Sequence, residues 1–260
     1  MITVSLSAKN VVKRYGGVVA LSDGNLEVES GQVVALIGAN GSGKSTLGKI
    51  ITGVVALDKG QLLLDGKPVE FFSPLDAKRL GISAVYQELS LIPKMTVAEN
   101  IWLAHEPLTW GGRVDQKEVR RRTQDLLGLF EGTFHSPLDP EVPVSFLSPD
   151  EKQIVEILKA LSMKPRVMIL DEATASLDSR QVERLFSLIS EWKKQGLGIV
   201  FVSHRMDEIF RVADQMTILR NGRTVGSAKV ADVTDREIVE LMVEGTAASE
   251  AVKRDPTPLE

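Results

Sequence analysis

VVALIGANGSGKS, Val33 to Ser45, joins an apolar pentapeptide to a glycine-rich loop and a lysine–serine pair. Val33 to Ile37 is short, apolar and β-branched, the pattern of a strand covered on both faces. A helical segment follows from about Lys44 to Thr52. Between them Gly38 to Ser45 fits G-x-x-x-x-G-K-[ST], in the strand-to-helix setting that gives this motif its meaning. Glycines let the backbone fold around an anion so that successive N–H groups point inward, and the helix start adds the positive end of its dipole. The reading assigns Gly38, Asn40, Gly41, Ser42, Gly43, Lys44, Ser45 and Thr46 to a triphosphate. Lys44 is expected to reach the β- and γ-phosphates, and the Ser45 hydroxyl to ligate Mg²⁺.

Working outward, the same kind of strand recurs at Ile82 to Val85, Val167 to Leu170 and Ile199 to Val202, with helical stretches between. Alternation of this sort predicts a mostly parallel sheet flanked by helices. Shorter strands are expected at Val4 to Val11 and Leu26 to Val28. From about 88 to 163 the pattern turns to helices alone, over Val97 to Ala104, Gln116 to Phe130 and Asp150 to Met163, and reads as an inserted helical lobe. The final stretch, TAASEAVKRDPTPLE, reads as a polar tail or linker.

Two of the later strands end in chemistry. VMILDE (167–172) closes on Asp171 and Glu172, at the carboxyl end where an open α/β sheet places its ligands. Asp171 is positioned to hold Mg²⁺ through water and Glu172 to polarise the attacking water, which is most of what phosphoryl transfer asks of a protein. IVFVSH (199–204) repeats the arrangement with His204, expected to contact the γ-phosphate.

Composition narrows the classes. The 260 residues are 43% hydrophobic and 25% charged with net charge −4, so nothing favours a nucleic-acid partner. There is no cysteine, which excludes disulfides and thiolate sites, and the three histidines lack metal-ligand spacing. No apolar run approaches the roughly 18 residues needed to cross a bilayer, and the first residues do not read as a signal peptide. Any membrane role would run through a partner.

Taken with GANGSGKS and VMILDE, three further segments make the chain resemble the ATP-binding cassette (ABC) family over roughly residues 4–244. Gln87 in AVYQE resembles the glutamine that senses Mg²⁺ and links the site to the helical lobe. ASLD, ending at Asp178, resembles the loop that crosses the dimer interface, and His204 matches the switch histidine. Tyr15, in KRYGGVVAL, matches the aromatic that stacks on adenine. The resemblance implies a P-loop NTPase fold: a mostly parallel sheet core (1–87 and 164–244, RecA-like), an antiparallel β edge region, a helical lobe (88–163), and a tail over 245–260. It implies catalytic Lys44, Glu172 and His204, metal contacts from Ser45, Gln87 and Asp171, and ATP with Mg²⁺. YQELSLIPKMTVAENIWL and VSHRMDEIFRVADQMTILRNGR resemble the ATPases of ribose-, galactose- and xylose-type importers. The partners implied are membrane-embedded permease subunits, a second nucleotide-binding domain and, indirectly, a sugar-binding protein, at the cytoplasmic face of the membrane. The alternatives are a soluble ABC ATPase outside transport, or one half of an asymmetric or fused pair.

One departure stands out. Where the family usually carries L-S-G-G-Q, facing the partner's γ-phosphate, this chain has Leu147-Ser-Pro-Asp-Glu151. Ser148, Pro149 and Glu151 spell a capping box with proline at N1. Asp150 and Glu151 add negative charge where a phosphate would approach. Ser148 is therefore expected to serve a degenerate site in trans. Leu89, Leu91, Ile92 and Met95 are candidates either for a groove taking a membrane-subunit helix or for ordinary lobe core, and Arg120 to Arg122 for a solvated helix face.

Overall fold

A computed structural model describes residues 5–134, 136–234 and 237–238. The expected tail over 245–260 and the last part of the expected cassette lie outside the described residues. In chain order the elements are β1 (Ser5–Tyr15), β2 (Val18–Glu29), β3 (Val33–Ile37), α1 (Lys44–Ile51), β4 (Lys59–Leu64), β5 (Lys67–Val69), α2 (Pro74–Arg79) and β6 (Ile82–Val85). Then come α3 (Val97–Trp102), α4 (Gln116–Leu127), α5 (Pro149–Ser162), β7 (Val167–Asp171), α6 (Ser179–Lys194), β8 (Gly198–Val202), α7 (Met206–Val212), β9 (Gln215–Arg220) and β10 (Arg223–Lys229).

Among the described residues, ten strands form one sheet in the order β5-β4-β1-β2-β10-β9-β3-β8-β7-β6. From β9 to β6 every neighbour is parallel, while β5, β4, β1 and β2 pair antiparallel. The mostly parallel core with an antiparallel edge is thus as expected. β3, β7 and β8 are buried at every position, because helices cover both faces of a parallel sheet.

The first strand outruns its reading. β1 extends to Tyr15, but register shifts after Ala8 and Val11, with Asn10 at φ 52, break the alternation that marks a strand in sequence. It then turns tightly at Gly16 and Gly17 into β2, pairing Tyr15 with Val18.

The helices between β6 and β7 share a core with the sheet. Ile101, Phe130, Ile154 and Leu158 belong to the same buried cluster as Val33, Leu170 and Phe201. α3 stops two residues before the expected Ala104, since Leu103 turns extended and Ala104 adopts φ 68. α4 gives way at Gly128 to a tighter turn through Phe130. Arg121 and Arg122 pair with Glu118 on its own surface, and Arg120 with Asp139 and Glu141, as a solvated face would. Among the described residues no helix is long and apolar enough to cross a membrane.

Candidate nucleotide site

The loop after β3 folds because its glycines can go where other residues cannot. Gly43, which caps α1, has φ 106, and a Cβ there would lie 2.7 Å from Leu21 Cδ2 and 2.8 Å from the Ala20 carbonyl oxygen. A Cβ on Gly38 would collide with the Leu219 carbonyl. The backbone is therefore packed directly against β2 and β9, which fixes the loop's shape before any ligand arrives. α1 starts with no acidic residue in its first turn and no side-chain cap. Its N–H groups and dipole face outward unanswered by the chain's own carboxylates.

Above this loop opens a cavity of about 750 Å³. Tyr15, Asn40, Gly41, Gly43, Lys44, Ser45, Thr46, Gln87, Asp171, Glu172 and His204 line it. Of the residues assigned from sequence, Gly38 and Ser42 lie behind the loop; the Ser42 side chain is 4% exposed and turned inward. Ser148 and Asp178 lie apart from the cavity. Val18, Val19 and Ala20 also line it. They were not singled out, although Val18 and Val19 stand exposed beside Tyr15 in the same KRYGGVVAL segment. Exposed apolar side chains at a strand start were the available signal.

The charges converge. Lys44 folds back so that Nζ donates to the Gly38 carbonyl at 2.7 Å and the Ala39 carbonyl at 3.1 Å. Burial pulls its pKa down from the ordinary lysine value, against the opposing pull of Asp171 and Glu172. Asp171 is 8% exposed, and burial together with Glu172 raises its pKa, against Lys44 and a hydrogen bond with Ser45. A buried carboxylate bonded to a hydroxyl, with Gln87 across the cavity, is an all-oxygen donor set. That chemistry fits Mg²⁺, which takes few protein ligands and keeps water and phosphate for the rest.

Glu172 sits at φ 52, unusual for a residue with a side chain. Its N–H donates to the Val202 carbonyl at 2.9 Å, and its own carbonyl accepts from Ala175 at 3.1 Å. The chain thus turns sharply off β7, placing Glu172 Oε1 3.5 Å from His204 Nδ1 at the end of β8. Backbone strain of this kind costs on the order of 1 kcal/mol and is characteristic of functional sites.

The segment at Leu147 to Glu151 forms the expected capping box: the Ser148 N–H donates to Glu151 Oε2 at 2.9 Å, and Ser148 Oγ accepts from the Glu151 N–H at 3.5 Å. Ser148 Oγ also donates to Asp150 Oδ1 at 2.5 Å. Gln181 Nε2, fully buried on α6, donates to Asp150 Oδ2 at 2.7 Å. Although burial acts to raise it, the bonds from Ser148 and Gln181 hold the Asp150 carboxyl below the usual aspartate range. Asp178 caps α6, accepting from the Gln181 N–H at 2.8 Å.

A family model described as ABC transporter matches residues 21–175, more than half of the chain. The chain belongs to the ABC transporter family. A protein of Ralstonia nicotianae named as a putative ribose/galactose/methyl galactoside import ATP-binding protein is 46% identical over 238 residues, 92% of this chain and 45% of that protein. Ribose import ATP-binding protein RbsA 1 of Rhizobium johnstonii is 44% identical over 235 residues, 90% of this chain and 45% of that one. The chain thus spans about half the length of the curated relatives it matches. Among solved structures, the ABC cassette MJ1267 in its ADP conformation superposes with a TM-score of 0.74 at 25% identity, over 92% of this chain and 98% of that one. The dimeric post-hydrolysis cassette MJ0796, bound to ADP and Pi, gives a TM-score of 0.75 at 26% identity over 86% and 98%.

Proposed function

We propose that this chain binds and hydrolyses ATP as the engine of an ABC importer, with a monosaccharide as the cargo. The observation that carries the reading is the convergence of Lys44, Ser45, Gln87, Asp171, Glu172 and His204 on one cavity. The likeness to proteins named for ribose and galactose import supports the cargo class. No residue of this chain need touch the sugar, which other subunits carry.

In this reading the loop 38–45 and the open start of α1 receive the phosphates, and Tyr15 with Val18 and Val19 offers an apolar seat for the base. Ser45, Asp171 and Gln87 would hold Mg²⁺, which would neutralise developing phosphate charge when bound. Glu172 orients the attacking water and accepts its proton, while His204, in reach of Glu172 and of the cavity, steadies the γ-phosphoryl group as it passes from ADP to that water. Partners are permease subunits and a second nucleotide-binding domain, and the setting is the cytoplasmic membrane face. The parts divide into a core (1–87 and 164–244) and a helical lobe (88–163), so that closure around ATP moves the lobe.

The second domain is a different one rather than an identical copy. Ser148 favours this: its hydroxyl proton is directed at Asp150, and Asp150 and Glu151 already answer the dipole of α5. A site built with this segment in trans would hold nucleotide and turn it over slowly. The test is Glu172→Gln, with phosphate release and solution mass measured with and without Mg-ATP. Hydrolysis should fall about a hundredfold or more with ATP binding intact. The variant should remain monomeric alone and dimerise only with a domain carrying an intact signature. Retained hydrolysis would overturn the role of Glu172, and a stable ATP-bound homodimer would overturn the asymmetry.

A further inference from the structure

The β7–β8 ladder ends at the pair Asp171 and Val202, and past it the two strands run into Glu172 on one side and His204 on the other. A backbone bond still joins the two exits, from the Glu172 N–H to the Val202 carbonyl at 2.9 Å. Beyond it a side chain takes over. Glu208, in the first turn of α7, is 3% exposed, and its Oε2 accepts from Thr174 Oγ1 at 2.9 Å and from Ser203 Oγ at 2.7 Å. Its Oε1 accepts from Arg205 Nη1 at 3.1 Å. Thr174 and Ser203 are themselves buried.

The placement of these partners gives Glu208 its reach into the site. Thr174 lies two residues past Glu172, in the turn closed by the bond from the Ala175 N–H to the Glu172 carbonyl. Ser203 and Arg205 stand on either side of His204, and the Arg205 N–H donates to Ser203 Oγ at 3.1 Å, closing a short loop around it. The His204 side chain is 67% exposed, so its position is set chiefly through these two neighbours. The start of α7 already has the exposed Asp207 to answer its dipole, so the helix does not need the buried carboxylate. Burying a carboxylate is costly unless its oxygens are met, and here donors from both turns meet them. Displacing either turn would leave an oxygen short. The buried charge thus selects one relative placement of the two turns, that in which Glu172 Oε1 stands 3.5 Å from His204 Nδ1.

We infer that Glu208 is a positioning residue for ATP hydrolysis, tying the turn after Glu172 to the loop around His204 so that the two side chains face each other. The inference rests on the proposed roles of Glu172 and His204 for its consequence, and on the hydrogen bonds of Glu208 alone for the tie. Glu208 lies behind the wall of the nucleotide cavity rather than in it, so its effect is confined to geometry.

The tie can be read without nucleotide. The chain has three histidines, and His204→Gln identifies the His204 ring among their ¹H–¹³C signals. Glu172→Gln removes a carboxylate 3.5 Å from that ring and should shift its signal. In a Glu208→Ala background the same change should shift it less than about half as far. A shift absent from the unmodified chain, or kept in full with Glu208→Ala, would overturn the inference whatever the variant loses in Tm. Hydrolysis gives the second reading, as Mg-ATP turnover per bound nucleotide with a domain carrying an intact signature in excess. Glu208→Ala should lower kcat about tenfold or more with ATP affinity unchanged. Glu208→Gln, whose amide oxygen can still accept from both hydroxyls, should stay within about threefold of the unmodified chain. An unchanged kcat with Glu208→Ala, a loss of ATP affinity in step with kcat, or a Glu208→Gln no better than the alanine variant would each refute the positioning role. If Glu208→Ala does not fold, Thr174→Val removes one bond without opening a cavity, and no effect of it on either reading overturns the inference. If the unmodified chain hydrolyses nothing while Glu208→Ala still uncouples His204 from Glu172, the hydrolysis reading fails and the tie stands.

Discussion

Replacing Asp150 with glycine should destabilise the protein and yet improve its self-association with ATP. Asp150 is the shared acceptor of Ser148 Oγ at 2.5 Å and Gln181 Nε2 at 2.7 Å. Ser148 Oγ can donate to water instead and keeps the bond it accepts from the Glu151 N–H, but Gln181 is fully buried, and its remaining acceptor, the Thr133 carbonyl, lies at 3.5 Å. Stranding that amide costs about 1–3 kcal/mol, and losing a first-turn carboxylate from α5 adds about 0.3–1 kcal/mol. A total near 2 kcal/mol corresponds to a fall in Tm of roughly 4–8 °C for a chain of this size. The same change frees the Ser148 hydroxyl and removes one carboxylate from the surface a partner's triphosphate would approach. Relief of about 1 kcal/mol per like-charge pair, the value at 4 Å in bulk water, is the low end. With two such sites in a homodimer, the dimer dissociation constant should fall roughly thirtyfold or more. The assay is differential scanning fluorimetry beside analytical ultracentrifugation, in a Glu172→Gln background with Mg-ATP. A lowered Tm with no gain in dimer would show that Asp150 is purely structural. An unchanged Tm would refute the geometry itself.

Lys44→Ala should abolish binding of a fluorescent ATP analogue at micromolar concentrations without lowering Tm, since the ammonium bonds only to the carbonyls of its own loop. Gly43→Ala should weaken nucleotide binding and lower Tm together, because its Cβ would press on Leu21 and the Ala20 carbonyl. Phe201→Ala, at a fully buried ring packed edge-on against Phe186, should cost about 3–5 kcal/mol in urea unfolding. His105 supplies a pH test. Burial depresses its folded pKa below the ordinary histidine value of 6.5, so the unfolded chain binds the proton more readily. Its contribution to stability is therefore lost as pH falls through 6.5. His105→Asn should flatten that part of the stability profile, as seen in urea midpoints measured from pH 7.5 downward.

The parallel core and the phosphate loop could be read because each obeys a local rule: buried strands are short apolar runs, and glycines followed by Lys44 and Ser45 mark a phosphate turn. What escaped reading was set by tertiary contact. β1 hides its second half behind bulges at Asn10 and Val12, so its alternation ends at Val11 while its pairing continues. Ser42 sits within the motif, yet its side chain points at Gly38 rather than at the cavity, a matter of loop packing. Leu91 packs against the core while Ile92 stands 41% exposed, a division the apolar pattern alone could not make. The bond from Gln181 to Asp150 joins residues 31 positions apart, and no motif announces it.

In the proposed function two helix starts bear on ATP, and they show how one backbone feature can be set to opposite ends. Every α-helix begins with unsatisfied N–H groups and a positive dipole end, which attract whatever anion is nearest. Among the described helices of eight residues or more, α4, α5 and α6 meet that demand from within, through Asp115, Ser148 with Glu151, and Asp178. α1 alone does not: glycine caps it, no acidic residue enters its first turn, and Lys44 adds a charge of the same sign. Its start is held by packing and left open to an anion brought from outside, which is the property of a binding site. α5 has already taken its anions from Asp150 and Glu151, and an incoming phosphate would have to displace them. Changing a cap therefore changes a site. Removing the carboxylate of Asp150 should move α5 toward the open condition of α1, and installing one at Ser45 should close α1 by the same logic.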